Sequence, residues 1–389
     1  MSASGHIDDG LAARPSRRRA RVLLVQTQAE NAGAQEISRL VGAGLVARGH
    51  LVHHLFFYDR TGGAPDLASV EFCTHERPHS PLALLRFVLA TRRRIADWRP
   101  DVVFTFQHWG NTLGAPLVRA AGHAPVVANQ VSSPALVPLV ATLLDRLWGS
   151  LGLYRVITTN SDDTHAFYST YPAAYRARLV RVPYGCEVKT GVLDRAAARA
   201  AFGLPPDAAV IGCAARLHPA KRLDCALRLL PRRPDLHLLL AGQGPARGEL
   251  ERLAAGLGVA ERVRFLGELL PSRIGDFLAA LDAFVFPSAS ETFGLAGLEA
   301  AVAGVPVIAS DLRVLHEVLT WHDRPAALFV DPTDTAAFAA AVDRILADPA
   351  LAADLAAAGR ALHDRYRLDA MIDAYADLVD RVLAVAPPA

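Results

Sequence analysis

The segment FPSASETFGLAGLEAAVAGVPVIAS, from Phe286 to Ser310, decides how this chain folds. Residues 283–287 and 306–310 are short apolar runs that read as buried strands. Between them a loop carries Ser288, Ser290, Glu291 and Thr292, and an apolar helix follows from about 295 to 303. Glu299 is the one charged residue between Thr292 and Ser310, and helical spacing puts it on the side of Leu295 and Val302. A carboxylate buried there without a partner would be strongly destabilising. The neighbouring sequence offers no cation, so a ligand hydroxyl or a polar cleft is the expected partner. Gly294 sits at the helix start, where free backbone amides attract phosphate oxygens.

Outward from this segment, strands alternate with helices. Upstream, strands are expected at 22–26, 51–57, 102–106, 125–128, 154–159 and 179–182, with helices at 35–48, 82–98 and 134–150. Residues 61–80 read as a loop. After a linker at 184–195 the alternation restarts, with strands near 210–214, 236–241, 263–266, 283–286, 307–309 and 327–330. Helices at 335–347 and 351–361 follow, and an amphipathic helix with Met371, Tyr375, Leu378, Val379 and Val382 ends the chain. Alternation in both halves predicts an α/β protein of two Rossmann-like domains, 21–184 and 195–365, behind a disordered leader at 1–20.

The length of 389 residues suits two domains of roughly 100–200 residues each. A hydrophobic share of 52% with 21% charged residues describes a globular chain, and a net charge of +2 gives no case for nucleic acid. The four cysteines are scattered, which suits reduced thiols in the cytoplasm. Cys73, His75 and His79 have loosely ligand-like spacing, but a solvated loop explains them better than zinc. No apolar run reaches the roughly 18 residues of a membrane span. Arg17, Arg18 and Arg19 could touch an anionic membrane surface, although a solvated leader is the simpler reading. The apolar stretch 134–144 could dock at a membrane but reads better as core.

Two further stretches bear on chemistry. Arg216 and Lys221 follow strand 210–214, and two cations at a strand's carboxyl end suit a diphosphate. Gly242-x-Gly244-x-x-x-Gly248 follows a strand and mimics a dinucleotide fingerprint, as a weak signal. Gly42-x-Gly44 lies inside a helix and is no phosphate loop. Gly33, in the small-residue turn after the first strand, opens a helix where phosphate can approach backbone.

Glu291, seven residues, then Glu299, with Phe293-Gly294-Leu295 between, resembles the signature of the family-four retaining glycosyltransferases, the group 1 enzymes related to glycogen synthase and mannosyltransferases. Gly33, the Arg216/Lys221 pair and the Gly242 turn match that family in order, and the resemblance runs from residue 20 almost to the end. It implies the GT-B fold: two domains facing across a cleft, with the C-terminal helix 368–385 packed back on the first. It also implies roles. Glu299 would bind the donor ribose, and Glu291 the transferred sugar. Amides at Phe293, Gly294 and Leu295 would hold sugar and phosphate. Arg216 and Lys221 would neutralise the leaving diphosphate, Gly33 would approach it from the other domain, and backbone around Gly267 would hold the base. The implied reaction moves a hexose from a UDP- or GDP-sugar to an acceptor hydroxyl, without metal or other cofactor.

Two departures stand out. The family carries Gly after the lysine, where this chain has Arg222. It often carries a His near the transferred sugar, where this chain has Gln130, and His108 one strand earlier could share that role. Gln130 leaves open a nucleotide-sugar-binding protein without turnover, and the Gly242 turn an oxidoreductase. Acceptor contacts are expected from 58–80, 107–112 and 130–145, with polysaccharide or cell-envelope glycan assembly, in the cytoplasm or at the inner membrane face, as the setting.

Overall fold

The computed structural model describes residues 19–30, 32–59, 67 and 69–384. Most of the leader, including Arg17 and Arg18, lies outside the described residues, as do Asn31 of the first turn and 60–66 and 68 of the expected loop.

The first sheet contains β1 (Arg21–Ala29), β2 (Leu51–Asp59), β3 (Val70–Thr74), β4 (Val102–Phe106), β5 (Val126–Gln130), β6 (Val156–Thr159) and β7 (Leu179–Arg181). These seven strands run in the order β3-β2-β1-β4-β5-β6-β7 and pair in parallel throughout. β1, β4 and β5 are buried almost along their whole length, as strands with helices on both faces must be. The second sheet contains β8 (Ala209–Ala214), β9 (Leu236–Ala241), β10 (Val263–Gly267), β11 (Ala283–Phe286) and β12 (Val307–Ser310). A two-stranded ribbon, β13 (Thr320–Trp321) with β14 (Arg324–Pro325), precedes its last strand, β15 (Ala327–Val330). The order is β10-β9-β8-β11-β12-β15, again parallel. Chain order reverses at β1 in one sheet and at β8 in the other. Ligands of open α/β sheets bind at such reversals, beyond the carboxyl ends of the strands.

The helix Leu368–Ala384 packs on the helix Gly33–Ala47 of the first domain, as expected. It buries Met371, Tyr375, Leu378, Val379 and Val382, and the Tyr375 hydroxyl donates to Asn129 Oδ1 at 2.9 Å. The chain crosses between domains twice, side by side: the Cys186 amide donates to the Tyr366 carbonyl at 3.0 Å. Phe293 packs there against both Tyr184 and Tyr366, with ring centroids 5.0 and 5.4 Å away.

Two expectations need correction. The loop expected at 61–80 contains β3, which adds an edge strand beside β2. Its Cys73 points into the core, where burial pushes the thiol up to about 11, so it does not join His75 and His79 as a ligand set. The helix expected at 134–150 is a short 3₁₀ turn, Pro134–Leu136, followed by the helix Leu139–Leu151. Its leucines are not core. Leu139, Leu143, Leu147 and Leu151, spaced by four, all face outward.

Candidate active site

The carboxyl ends of the two sheets face each other across a cleft of about 410 Å³. From the second domain Arg216, Lys221, Glu291 and Glu299 line it, with Phe293, Gly294 and Leu295. From the first domain come Gly33, Glu36 and Arg39. Seven residues singled out on the second-domain side thus converge, and Gly33 meets them from across the cleft.

Arg216 leaves β8 on a loop shaped by glycine. A Cβ on Gly242 would lie 2.0 Å from the Ala215 carbonyl oxygen, and one on Gly244 2.3 Å from that of Leu217. Gly242 has φ +135°, which side-chain-bearing residues rarely adopt. The Leu217 amide then donates to the Gln243 carbonyl at 2.9 Å. The glycine pattern that mimicked a dinucleotide fingerprint therefore seats the Arg216 loop against the next turn. Arg216 Nε is buried there and has no hydrogen-bond partner among the described residues. A buried guanidinium donor left unpaired is a strong pull on an anion.

Lys221 ends a 3₁₀ turn, Pro219–Lys221, whose start His218 caps by accepting from the Ala220 amide at 3.2 Å. Burial, with the charges of Arg216 and Lys221, pushes His218 below its usual range. Arg222 adopts φ 49°, ψ 37°. The backbone here makes the left-handed turn that glycine favours, and Arg222 makes it at a cost of roughly 1–2 kcal/mol. Lys221 Nζ lies 2.5 Å from Glu291 Oε1. The loop before Glu291 is tied to the lysine turn, since the Ala289 amide donates to the Ala220 carbonyl at 2.8 Å.

First-domain strand ends clasp the same loop from the opposite side. Ser133 bonds Ser290, and Ser161 Oγ donates to the Thr292 carbonyl at 2.8 Å. Thr292 Oγ1 donates to the Val131 carbonyl at 3.3 Å. Gly294, at φ +88°, turns the chain into the helix Leu295–Val302, whose start has no side-chain cap, leaving its first amides toward the cleft. The Phe293 side chain is buried in the domain crossing, so any ligand contact from it is through backbone.

Glu299 has the partner that its neighbouring sequence lacked. Lys189, from the linker, places Nζ 3.8 Å from Glu299 Oε1, 2.7 Å from Glu36 and 3.0 Å from Glu187. Burial pushes Glu299 up to about 7; Lys189 opposes that rise and the charges of Glu36 and Glu187 add to it. Burial alone would also raise Glu36, but bonds and charge from Arg39 and Lys189 outweigh it and hold Glu36 below its usual range. A linker lysine thus joins carboxylates of both domains beside the cleft. Sequence reasoning passed over Lys189, Glu36 and Arg39; the pairing of Glu187 with Lys189 in the linker was the available signal.

Of three remaining residues, Gln130 moves away from the cleft, while Gly267 and His108 stay beside it. Gly267 does not line the cleft. Its φ of +71° turns the chain, and its carbonyl accepts from the Gly242 amide at 2.6 Å, while Glu268 and Leu269 reach the cleft. Gln130 is buried inside the first domain and does not face a sugar site. Its Nε2 donates to Asp145 Oδ1 at 2.8 Å and to Tyr175 at 2.9 Å, and its Oε1 accepts from Tyr168 and Asn111. His108 lines an adjoining pocket with Trp109 and Ser132, which shares Arg216, Gln107 and Glu30 with the cleft. Its Nδ1 lies 3.3 Å from Ser132 Oγ, and burial with the nearby Arg77 lowers its pKa, so the ring is neutral at neutral pH.

Fold and cleft together define a two-domain α/β protein with a cleft between two parallel sheets. Residues 194–362 match the family of glycosyl transferases group 1. A GDP-mannose-dependent alpha-(1-6)-phosphatidylinositol monomannoside mannosyltransferase from Mycolicibacterium smegmatis is 33% identical over 263 residues, 63% of this chain and 67% of that one. This chain belongs to the group 1 glycosyltransferases. A D-inositol 3-phosphate glycosyltransferase from Streptomyces avermitilis is 32% identical over 291 residues, 70% of this chain and 61% of that one. Several other relatives of that name are matched over about half of their length. Among solved structures, HepE of Anabaena in complex with UDP and glucose is similar, with a TM-score of 0.80 and 19% identity over 93% of this chain and 100% of that one. The fold is GT-B.

Proposed function

We propose that this chain transfers a hexose from a nucleoside diphosphate sugar, UDP- or GDP-linked, to an acceptor hydroxyl with retention at the anomeric carbon. The observation that carries the reading is Arg216, whose Nε is buried without a partner among the described residues, on a cleft that Lys221, Glu291 and Glu299 also line. Arg216 grips the diphosphate, with Lys221 beside it, and these two cations take the place of a metal ion on the leaving group. The open start of the helix Leu295–Val302 and Gly33 across the cleft present amides to the phosphates. Glu299 accepts from the ribose hydroxyls, and Glu291 from the hydroxyls of the sugar. The bond from the anomeric carbon to the phosphate oxygen breaks and its electron pair leaves with the nucleoside diphosphate. The acceptor oxygen bonds to the same face of that carbon, and its proton passes to a phosphate oxygen.

On this reading Lys221 leaves Glu291 when donor arrives, exchanging a carboxylate for a phosphate. The acceptor enters the adjoining pocket, where neutral His108 and Ser132 can hydrogen-bond its hydroxyls. The names of the relatives, one GDP-mannose-dependent and one solved with UDP and glucose, support a nucleotide-linked hexose. Glycan assembly on the cytoplasmic side of the cell envelope is the setting proposed. Thermal unfolding measured with UDP- and GDP-sugars and with NAD(H) tests this. A nucleotide sugar should raise the midpoint and NAD(H) should not. Nucleoside diphosphate release in acceptor pools then separates an enzyme from a protein that binds donor without turnover.

A further inference from the structure

The helices Pro81–Trp98 and Leu139–Leu151 both start at the cleft end of the first sheet, and both pack on the helix His108–Ala121 between them. Each turns apolar side chains outward. On the first, Leu82, Leu85 and Leu89 are each more than half exposed. On the second, Leu139 is 72% exposed and Val140, Leu143 and Leu151 are each above 55%. The second helix is inverted relative to an ordinary surface helix. Its inward face carries Ala141, Asp145 and Gly149, with Asp145 bonded to Gln130 and Tyr175. Among the described residues nothing packs over the leucine face, and a contiguous apolar patch of this kind marks an interaction surface.

Charge tells what. The exposed charges on these three helices are Arg86, Arg92, Arg93, Arg119 and Arg146 against the acid Asp97. A second copy packed symmetrically on this face would set arginines against arginines. A surface that accepts leucines and attracts arginines is that of an anionic bilayer. Among the described residues no helix is long and apolar enough to cross a membrane, so these helices would lie on it.

We propose that this face docks on a membrane surface rich in anionic phospholipid, the leucines entering the headgroup boundary and the arginines pairing with lipid phosphates. The pocket that holds His108 opens beside Leu84 of the first helix and Ser132, just before the second. Where the glycosyl-transfer reading holds, an acceptor anchored in that membrane would reach the pocket without leaving the bilayer.

Sedimentation with vesicles of phosphatidylcholine, with and without phosphatidylglycerol, tests the docking. The wild-type chain should pellet with the anionic vesicles and be released by salt. Each of Arg86→Gln and Arg93→Gln should weaken the partition by about fivefold. The triple variant Leu139→Gln, Leu143→Gln, Leu147→Gln should stay in the supernatant while unfolding thermally like wild type. A chain that ignores both vesicle types, or a triple variant that still pellets, would overturn the proposal. So would self-association in sedimentation velocity that the triple variant abolishes, which would give the face to a second copy. No donor is present in the assay, so its failure would leave the transfer reading untouched.

Discussion

The helices Leu295–Val302 and Leu139–Leu151 look alike on paper: both are short and mostly apolar, and each carries a single acid. The fold uses them in opposite ways. In the first, apolar side chains fill the core of the second domain and Glu299 reaches the cleft, 14% exposed beside Lys189. In the second, the acid points inward to Gln130 and Tyr175 while the leucines face out. A lone carboxylate on an apolar helix thus reaches the cleft in one case, where the helix around it is buried, and the interior of its own domain in the other. The inverted case marks a structural acid and an outer surface.

Four substitutions sharpen or break this contrast. Leu298 is fully buried, so Leu298→Ala should cost about 2–5 kcal/mol in denaturant unfolding. Asp145→Ala removes the acceptor shared by Gln130 Nε2 and the Tyr175 hydroxyl, and should cost about 2–4 kcal/mol with donor binding little changed. Glu299→Ala should do the reverse, weakening donor binding by about 1–3 kcal/mol in calorimetric titration with little loss of stability. Leu143→Ala should change stability by no more than about 0.5 kcal/mol, since its side chain is already in solvent. Equal losses from Leu143→Ala and Leu298→Ala would erase the distinction between the two helices.

The acidity of Glu299 gives a further test. The folded-state pKa of Glu299 is raised from 4.5 to about 7, so the folded chain holds this proton more tightly than the unfolded one. The stability this gives is fully present below about 4.5 and is lost as pH rises through about 7. Donor affinity should climb through the same upper range as Glu299 ionises and becomes a better acceptor for ribose hydroxyls. Glu299→Gln should flatten both profiles, and a wild-type donor affinity independent of pH between 6 and 8 would contradict the role.

Much of the second domain was legible in sequence because its chemistry is local. Arg216 with Lys221, and Glu291 with Glu299, lie a few residues apart on single loop-helix units, and strand alternation places those units at the sheet's carboxyl end. The strand alternation of both sheets followed from hydrophobic periodicity, while the return of the C-terminal helix was implied by the family resemblance. The first-domain half of the cleft was hidden because its contacts are made at long range. Lys189 meets Glu36 across 153 positions of chain and Glu299 across the domain gap. Gln130 was misplaced for a physical reason: a polar residue at a strand's carboxyl end faces either the cleft or the layer beneath it, and its partners Asp145, Tyr168 and Tyr175 come from later helices. The outward leucines failed the reading in turn, because apolarity on its own does not say which face of a helix the sheet covers. The strand Val70–Thr74 was missed since Glu71 and Thr74 break its apolar run on an edge that solvent partly covers.

Calorimetric titration of UDP and GDP into the wild-type chain and into Arg216→Ala tests the cleft most directly. One nucleotide should bind the wild type, and loss of the guanidinium should weaken it by about 1.5–3 kcal/mol, the range for hydrogen bonds to charged groups. Binding of equal strength to both proteins would contradict the account, since the Arg216 guanidinium would then have no anion to hold.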